Sequence, residues 1–404
     1  MMSRINVKEI NVQRIIKLVR DKEKISRVDI SQEINIPQPT VTRITDYLLN
    51  KNILMEAGRG KSNGGRKPIL LAFNPEYAYS VGVEIGRKEL KIGVTNLNGD
   101  FLSFRKKETE EVESFDQLIE ILKEELQATM EEGNIAKEKV LGVGIGMPGP
   151  INEMESLSTP PNYYKGGDIP ITRLLEEELD FPVIIDNDAN VAAMAEKWFG
   201  QGGDSRNFVY ILADDGVGSG LIINEQIYGG VAGEAGEMGH STINIFGEKC
   251  SCGSYGCLET FIAIPVLEKK MRNNLKSSYM DQEYFSKPIE KVKFHDIVEA
   301  AQKGSPGAQN LLREAGTYLG AGTANLLNII SPEIVILGGR LGKAGELVTE
   351  NVIQAVQHRV LGKNTKNVHV VQSILKEGVV LGASSLVIND SFSLFSYQNK
   401  LITN

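Results

Sequence analysis

Long apolar runs are missing from this sequence. No stretch approaches the roughly 18 consecutive apolar positions of a membrane-spanning helix, and the opening MMSRINVKEI is polar and charged, without the apolar centre of a secretion signal. The expectation is a cytoplasmic protein with no membrane partner. Cysteine is nearly absent as well, with three in 404 residues. An odd number of thiols in a reducing compartment makes a poor disulfide framework, which leaves metal ligation or plain core packing. Histidine occurs four times, and three of the four, His295, His358 and His369, stand alone as surface or core residues.

Charge is distributed unevenly. The whole chain carries a net −8, yet residues 1–70 hold 14 Lys and Arg against 7 Asp and Glu, and the remainder holds 30 against 45. A basic head on an acidic body is the pattern expected when one small domain meets phosphates and the rest does something else. The length, too great for one ordinary core, suggests roughly two or three domains.

In the head, Val12, Ile15, Ile16 and Val19 fall on one stripe of a first helix. Ser26 is placed to cap a second helix with Asp29 three residues on, and Ile25 and Ile30 stand where a hydrophobic staple would close. Asn35 and Ile36 make the turn. Pro37 and Pro39 restrict the start of a third helix, whose inner face is Val41, Ile44 and Leu48 and whose outer face is Gln38, Thr40, Thr42 and Arg43. Two helices joined by a tight turn, the second offering small polar residues and an arginine, form a helix-turn-helix able to lay a recognition helix in the major groove. The other reading of the same pattern is a generic three-helix module. The following ILMEAGRGKSNGGRKPILLAFN reads as a hairpin wing whose basic tip, Arg59, Lys61, Arg66 and Lys67, would neutralise phosphates. GRGKS inside it is not a nucleotide-binding loop, because Met55 stands where the first glycine belongs and no strand-loop-helix follows.

From residue 79 apolar runs alternate with helical stretches. YSVGVEIGRKELKIGVTNLNGDFLSF reads as consecutive strands, VLGVGIGMPGPI as a buried strand ending in a turn, and PVIIDNDANVAAMAEKWFG as a strand running into a helix. The logic repeats from FVYILADDGVGSGLIINEQIYGG to AGTYLGAGTANLLNIISPEIVILGGRLG, implying two similar α/β lobes.

All three cysteines, Cys250, Cys252 and Cys257, stand within eight residues, ten positions after His240. One imidazole and three thiolates are the set that holds zinc tetrahedrally in closed structural sites, and Gly253 and Gly256 supply the tight turns that would bring them together. Small core residues are the alternative, but core thiols have no reason to cluster with turn glycines. With four protein ligands no position is open to water, so such a zinc is structural.

Through GMPGP, DNDAN, GEMGH, CSCGSYGCLE and PEIVILGG, in order and spacing, residues 79–390 resemble the ROK family of bacterial sugar kinases and sugar-responsive repressors. The resemblance implies an actin-like (ribonuclease H-like) pair of lobes closing on a sugar. With the winged head attached the chain resembles the family's transcriptional repressors, including xylose repressors of Gram-positive bacteria. The expected organisation is a winged helix-turn-helix domain at 1–74, the sugar-binding body at 75–390 and a polar tail at 391–404. The resemblance assigns Gly149, Asn187, Asp188, Glu237, His240 and Glu259 to a monosaccharide, with His240 serving zinc and sugar together. It implies operator DNA and a sugar effector as partners, and a homodimer or higher even oligomer as the assembly.

In the family's kinases the aspartate matching Asp188 is the base that deprotonates the attacking hydroxyl. Its presence here keeps an enzyme reading open, and the alternative for the same residue is a helix N-cap. The kinase phosphate loops are altered: Asp-x-Gly-Gly-Thr is replaced by Glu84-Ile85-Gly86-Arg87-Lys88, and Gly-Thr-Gly-x-Gly-Gly-Gly by Asp214-Asp215-Gly216-Val217-Gly218-Ser219-Gly220. Two carboxylates in a phosphate site repel their ligand unless a metal compensates them. The sequence therefore favours a non-catalytic sensor, with a kinase carrying a DNA-binding head as the alternative.

Overall fold

The computed structural model describes residues 7–61, 67–109, 112, 114–149, 151–152, 157–158, 169–277, 279–362 and 368–398. Arg66, one of the basic wing residues, lies outside them.

The head opens with helix α1 (Val7–Asp21), and Val12, Ile15, Ile16 and Val19 are all buried, as their spacing predicts. The short strand β1 (Ile25–Ser26) leads into α2 (Arg27–Glu33), where the Asp29 backbone N–H donates to the Ser26 hydroxyl at 3.2 Å. Asn35 takes φ 52°, and the chain turns into α3 (Gln38–Asn50), which buries Val41, Ile44 and Leu48. Strands β2 (Leu54–Arg59) and β3 (Ile69–Phe73) form the wing, and the small sheet runs β1-β3-β2.

The body contains two five-stranded sheets of one design. In the first, β4 (Tyr79–Ile85), β5 (Glu89–Asn96) and β6 (Phe101–Glu108) form an antiparallel meander. Helix α4 (Phe115–Glu132) leads to β7 (Val140–Met147), parallel to β4. A small ribbon of β8 (Ile151–Asn152), β9 (Leu157–Ser158) and β10 (Ile169–Pro170) follows. Helix α5 (Ile171–Leu179) and β11 (Val183–Asn187), parallel to β7, complete the sheet, and β11 runs directly into α6 (Asp188–Phe199). The second sheet repeats the order with β12 (Phe208–Ala213), β13 (Val217–Ile223) and β14 (Gln226–Ile227) antiparallel, and β15 (Ile334–Gly338) and β16 (His369–Gln372) added in parallel. The strand orders β6-β5-β4-β7-β11 and β14-β13-β12-β15-β16 therefore correspond position by position.

The helix Gly378–Gln398 belongs to the first lobe although it comes last in the chain. It lies directly on the sheet: a Cβ at Gly82 would stand 2.0 Å from the Val380 carbonyl, so only glycine permits this approach. The Ser384 hydroxyl meets those of Ser80 and Thr95 at 2.7 and 2.8 Å, pairing buried polar groups that would otherwise be costly. The helix extends to Gln398, so part of the stretch read as a polar tail from residue 391 is helical. Among the described residues no helix is long and apolar enough to cross a membrane.

Candidate functional site

The cysteine loop hangs from a single turn, Met238–His240, at the edge of the second lobe. Isolated bridges join Thr242 to Cys257 and Lys249 to Tyr255, and within the loop the Gly253 N–H donates to the Cys250 carbonyl at 3.0 Å. Gly256 has φ 64° and sits so close to Asn244 that a Cβ would lie 1.6 Å from its carbonyl oxygen. These turns bring one ligand atom each from His240, Cys250, Cys252 and Cys257 within 4.8 Å of one another. His240 Nδ1 is 3.6 Å from the Cys250 sulfur, and the sulfurs of Cys252 and Cys257 are 3.7 Å apart. That spacing is far beyond a disulfide. It matches the edge of a tetrahedron with metal–sulfur arms of about 2.3 Å, which is about 3.8 Å. Burial pushes the Cys257 thiol up to about 12, whereas the hydrogen bond from the Ser254 backbone pulls Cys252 below its ordinary value. Donor set and spacing fit a tetrahedral metal.

The six residues assigned to a sugar fall in two groups. In the first lobe, Asn187 and Asp188 stand where β11 becomes α6, and the Asn187 amide donates to the Gly149 carbonyl at 3.2 Å. Gly149 has φ 106°, a conformation that suits glycine, so the GMPGP turn can come up beside the helix end. The Ala189 N–H donates to both Asn187 Oδ1 (2.9 Å) and Asp188 Oδ1 (2.8 Å), and the N-cap itself is Asn187. Asp188 is the first residue of the helix instead of its cap. In the second lobe, Glu237 immediately precedes the His240 turn, and Glu259 opens the short helix Glu259–Ile262 just after Cys257. Burial raises the Glu237 carboxyl above its ordinary value, His240 pulls against that rise, and the Glu259 carboxylate adds to it. The two groups also feel each other. Burial, then the carboxylates of Glu84, Glu237 and Asp214, push the Asp188 carboxyl up to about 7, against the pull of the Ala189 N–H.

This shift has a measurable consequence. A carboxylate accepts hydrogen bonds from sugar hydroxyls more strongly than the neutral acid does, so if Asp188 holds a sugar, as the family resemblance implies, sugar affinity should rise as pH passes from about 6 to 8. Calorimetric titrations across that range test it, and Asp188→Asn should flatten the profile. A wild-type profile that falls with pH would remove Asp188 as the acceptor.

The altered phosphate loops are internally paired. Glu84 lies opposite Lys91 in the β4–β5 ladder, and the Lys91 ammonium reaches Glu84, Glu89 and Glu377 at 3.1, 3.0 and 3.6 Å. In the other loop Arg340, following β15, contacts Asp214 at 2.5 Å and Asp215 at 2.6 Å. From the sequence only a metal offers compensation for these two carboxylates; the structure supplies a guanidinium. A strand end followed by Gly-Gly-Arg hinted at Arg340, but its partners are 126 and 125 positions away.

On the head, Gln38, Thr42 and Arg43 are exposed along α3, with Thr40 half-buried. Gln38, Thr42 and Arg43, with Pro39, Asp46, Tyr47 and Asn50 but without Thr40, line an open depression of about 760 Å³. Arg27 ties α2 to this helix through Thr45 (2.9 Å) and Asp46 (2.6 Å), two contacts that the sequence pattern did not reveal. Arg59 ends β2, and Lys61 and Lys67 flank the wing tip, all on the exposed side.

Residues 80–390 match the model of the ROK family. The chain belongs to that family. A xylose repressor of Caldicellulosiruptor bescii is 32% identical over 97% of this chain and 98% of its own length. A xylose repressor of Bacillus subtilis is 31% identical over 95% and 96%. Among solved structures, a ROK family transcriptional regulator described as a homologue of the E. coli MLC protein superposes with a TM-score of 0.80 at 25% identity, covering 97% of this chain and 98% of that one. A ROK family glucokinase from Streptomyces griseus, in complex with glucose and AMPPNP, gives 0.71 at 25% identity, covering 77% of this chain and all of its own. The two-lobed actin-like architecture expected of a ROK body is the one observed.

Proposed function

We propose that this ROK protein is a sugar-responsive transcriptional repressor: the head binds operator DNA, and a monosaccharide held between the lobes releases it. The observation that carries the reading is the extent of the likeness. Relatives named xylose repressors align over nearly the whole chain, head included, whereas the glucokinase aligns over 77% of it.

In this reading the sugar hydroxyls are gripped by Asn187, Asp188, Glu237, His240 and Glu259, with the backbone at Gly149 close to the ring. His240, Cys250, Cys252 and Cys257 hold a structural zinc, which cross-links the loop and fixes the His240 ring. With Nδ1 turned toward the thiols, the other ring nitrogen is left for the sugar. Xylose is the effector that the relatives' names suggest. DNA is bound by a dimer, with Gln38, Thr40, Thr42 and Arg43 toward the major groove and Arg59, Lys61, Arg66 and Lys67 on phosphates.

One observation favours a second reading, a sugar kinase with a DNA-binding head: a carboxyl raised to about 7 is well poised as a general base. Turnover measurements, described below, separate the two.

Selection of binding sites from random duplexes, followed by titration with D-xylose, D-glucose and N-acetylglucosamine, tests the repressor directly. Arg43→Ala should weaken binding and relax preference at particular bases. Lys61→Ala or Lys67→Ala should weaken all sequences alike and reduce the salt slope by about 1. Wing variants that alter base preference while Arg43→Ala does not would reverse the roles of helix and wing, and the absence of any selected site would remove the repressor reading.

A further inference from the structure

We propose that helix α6 carries the occupancy of the sugar pocket to the DNA-binding head, and that the contact between Trp198 and Arg20 is the joint where it does so. The proposal rests on the reading of the protein as a sugar-responsive repressor.

The two ends of α6 lie at the two places that must communicate. Its N-cap Asn187 and first residue Asp188 belong to the proposed pocket, and its last turn holds Trp198. Twelve helical residues at about 1.5 Å each put these ends about 18 Å apart. At the far end the Arg20 guanidinium lies over the Trp198 ring, 3.7 Å from its centroid. Arg20 belongs to the last turn of α1, and the apolar stripe of α1 is buried in the core of the head. Any shift of this footing is therefore a shift of the whole winged domain.

The helix is also held so that it moves as one piece. Residues 189–196 are all buried, and neighbouring backbone comes against α6 through glycines on separate elements. A Cβ at Gly220 would stand 2.4 Å from the Ala189 carbonyl, and one at Gly382 would stand 1.6 Å from the Val191 carbonyl. Packing that close leaves no room for the helix to bend and absorb a displacement at one end, so a change of tilt at Asp188 appears at Trp198. The helix Gly378–Gln398 completes the link, packing on α6 and on α1. Sugar and DNA then bias a single equilibrium, the seating of α1 on the body, from opposite sides.

Trp198 is the sole tryptophan of the chain, so its emission reports on this joint directly. Full-length wild type and Arg20→Gln are titrated with D-xylose, D-glucose and N-acetylglucosamine, following emission, sugar binding by calorimetry, and anisotropy of the labelled selected duplex. Read on the same DNA-bound sample, the wild-type emission change and the release of DNA should follow sugar concentration together. Arg20→Gln should bind sugar and sugar-free DNA within about threefold of wild type, while the ratio of DNA affinities without and with sugar falls by about tenfold or more. Trp198→Leu, read by anisotropy and calorimetry alone, should show the same loss. An unchanged ratio in both variants, with wild type released by sugar, overturns the joint and leaves the repressor reading standing. Wild type that no sugar releases from DNA overturns the repressor reading and the joint together.

Discussion

Cys252→Ser should damage sugar sensing severely while leaving the DNA-binding head untouched. Wild type purified without chelators should contain about one zinc per chain, and the variant almost none, because removing one of four ligands forfeits much of a binding energy that is large for structural zinc sites. Cys252 is the exposed member of the quartet, so the substitution leaves no buried hole. Its effect comes through the loop. Glu259 follows two residues after Cys257, and His240 is itself a ligand, so a loop without its cross-link no longer fixes either group toward the sugar. Sugar affinity should fall by about tenfold or more, while sugar-free operator binding stays near wild type. Metal analysis, calorimetry and operator anisotropy on the same preparations check each part. Wild type without zinc, or a zinc-free variant that senses sugar normally, would refute the assignment.

Asp188→Asn separates sensor from enzyme. In a sensor it removes a charge-assisted acceptor for sugar hydroxyls, worth about 1.5–3 kcal/mol, and sugar affinity at pH 8 should drop by about 10- to 150-fold. Operator binding without sugar should persist, and neither protein should release ADP from ATP and sugar above background. Stability should move the other way. The folded Asp188 carboxyl titrates near 7 against an ordinary value of 3.8, so the folded state holds this proton more tightly than the unfolded state does. The stability that it contributes is complete below about pH 4 and is lost as pH rises through 7. Asparagine, which never ionises, should therefore raise the melting temperature at pH 8 and change it little at pH 4. A more stable protein that senses poorly is the expected mark of a ligand site built from crowded carboxylates. Sugar-dependent ADP release by wild type that disappears in Asp188→Asn would instead establish the kinase.

Features confined to a few neighbouring residues were legible in the sequence. The Ser26 cap, the turn at Asn35 and the buried stripe of α3 follow from periodicity, capping and turn chemistry that act over a handful of positions. The His240 and cysteine quartet was legible for the same reason, since its ligands and turn glycines lie within eighteen positions of chain. The tertiary structure alone decided the charge balance of the cleft. Arg340 meets Asp214 and Asp215 from over a hundred positions away, and Lys91 is shared between its β-ladder partner and Glu377 at the start of the final helix. Coulombic pairing depends on distance in space, and nothing in the local pattern says which two distant charges the folded path will bring together. The same holds for Asp188, whose carboxyl is raised by burial and by acidic groups from separate strands and loops, and for Arg20, which reaches Trp198 only because α1 is seated on the body.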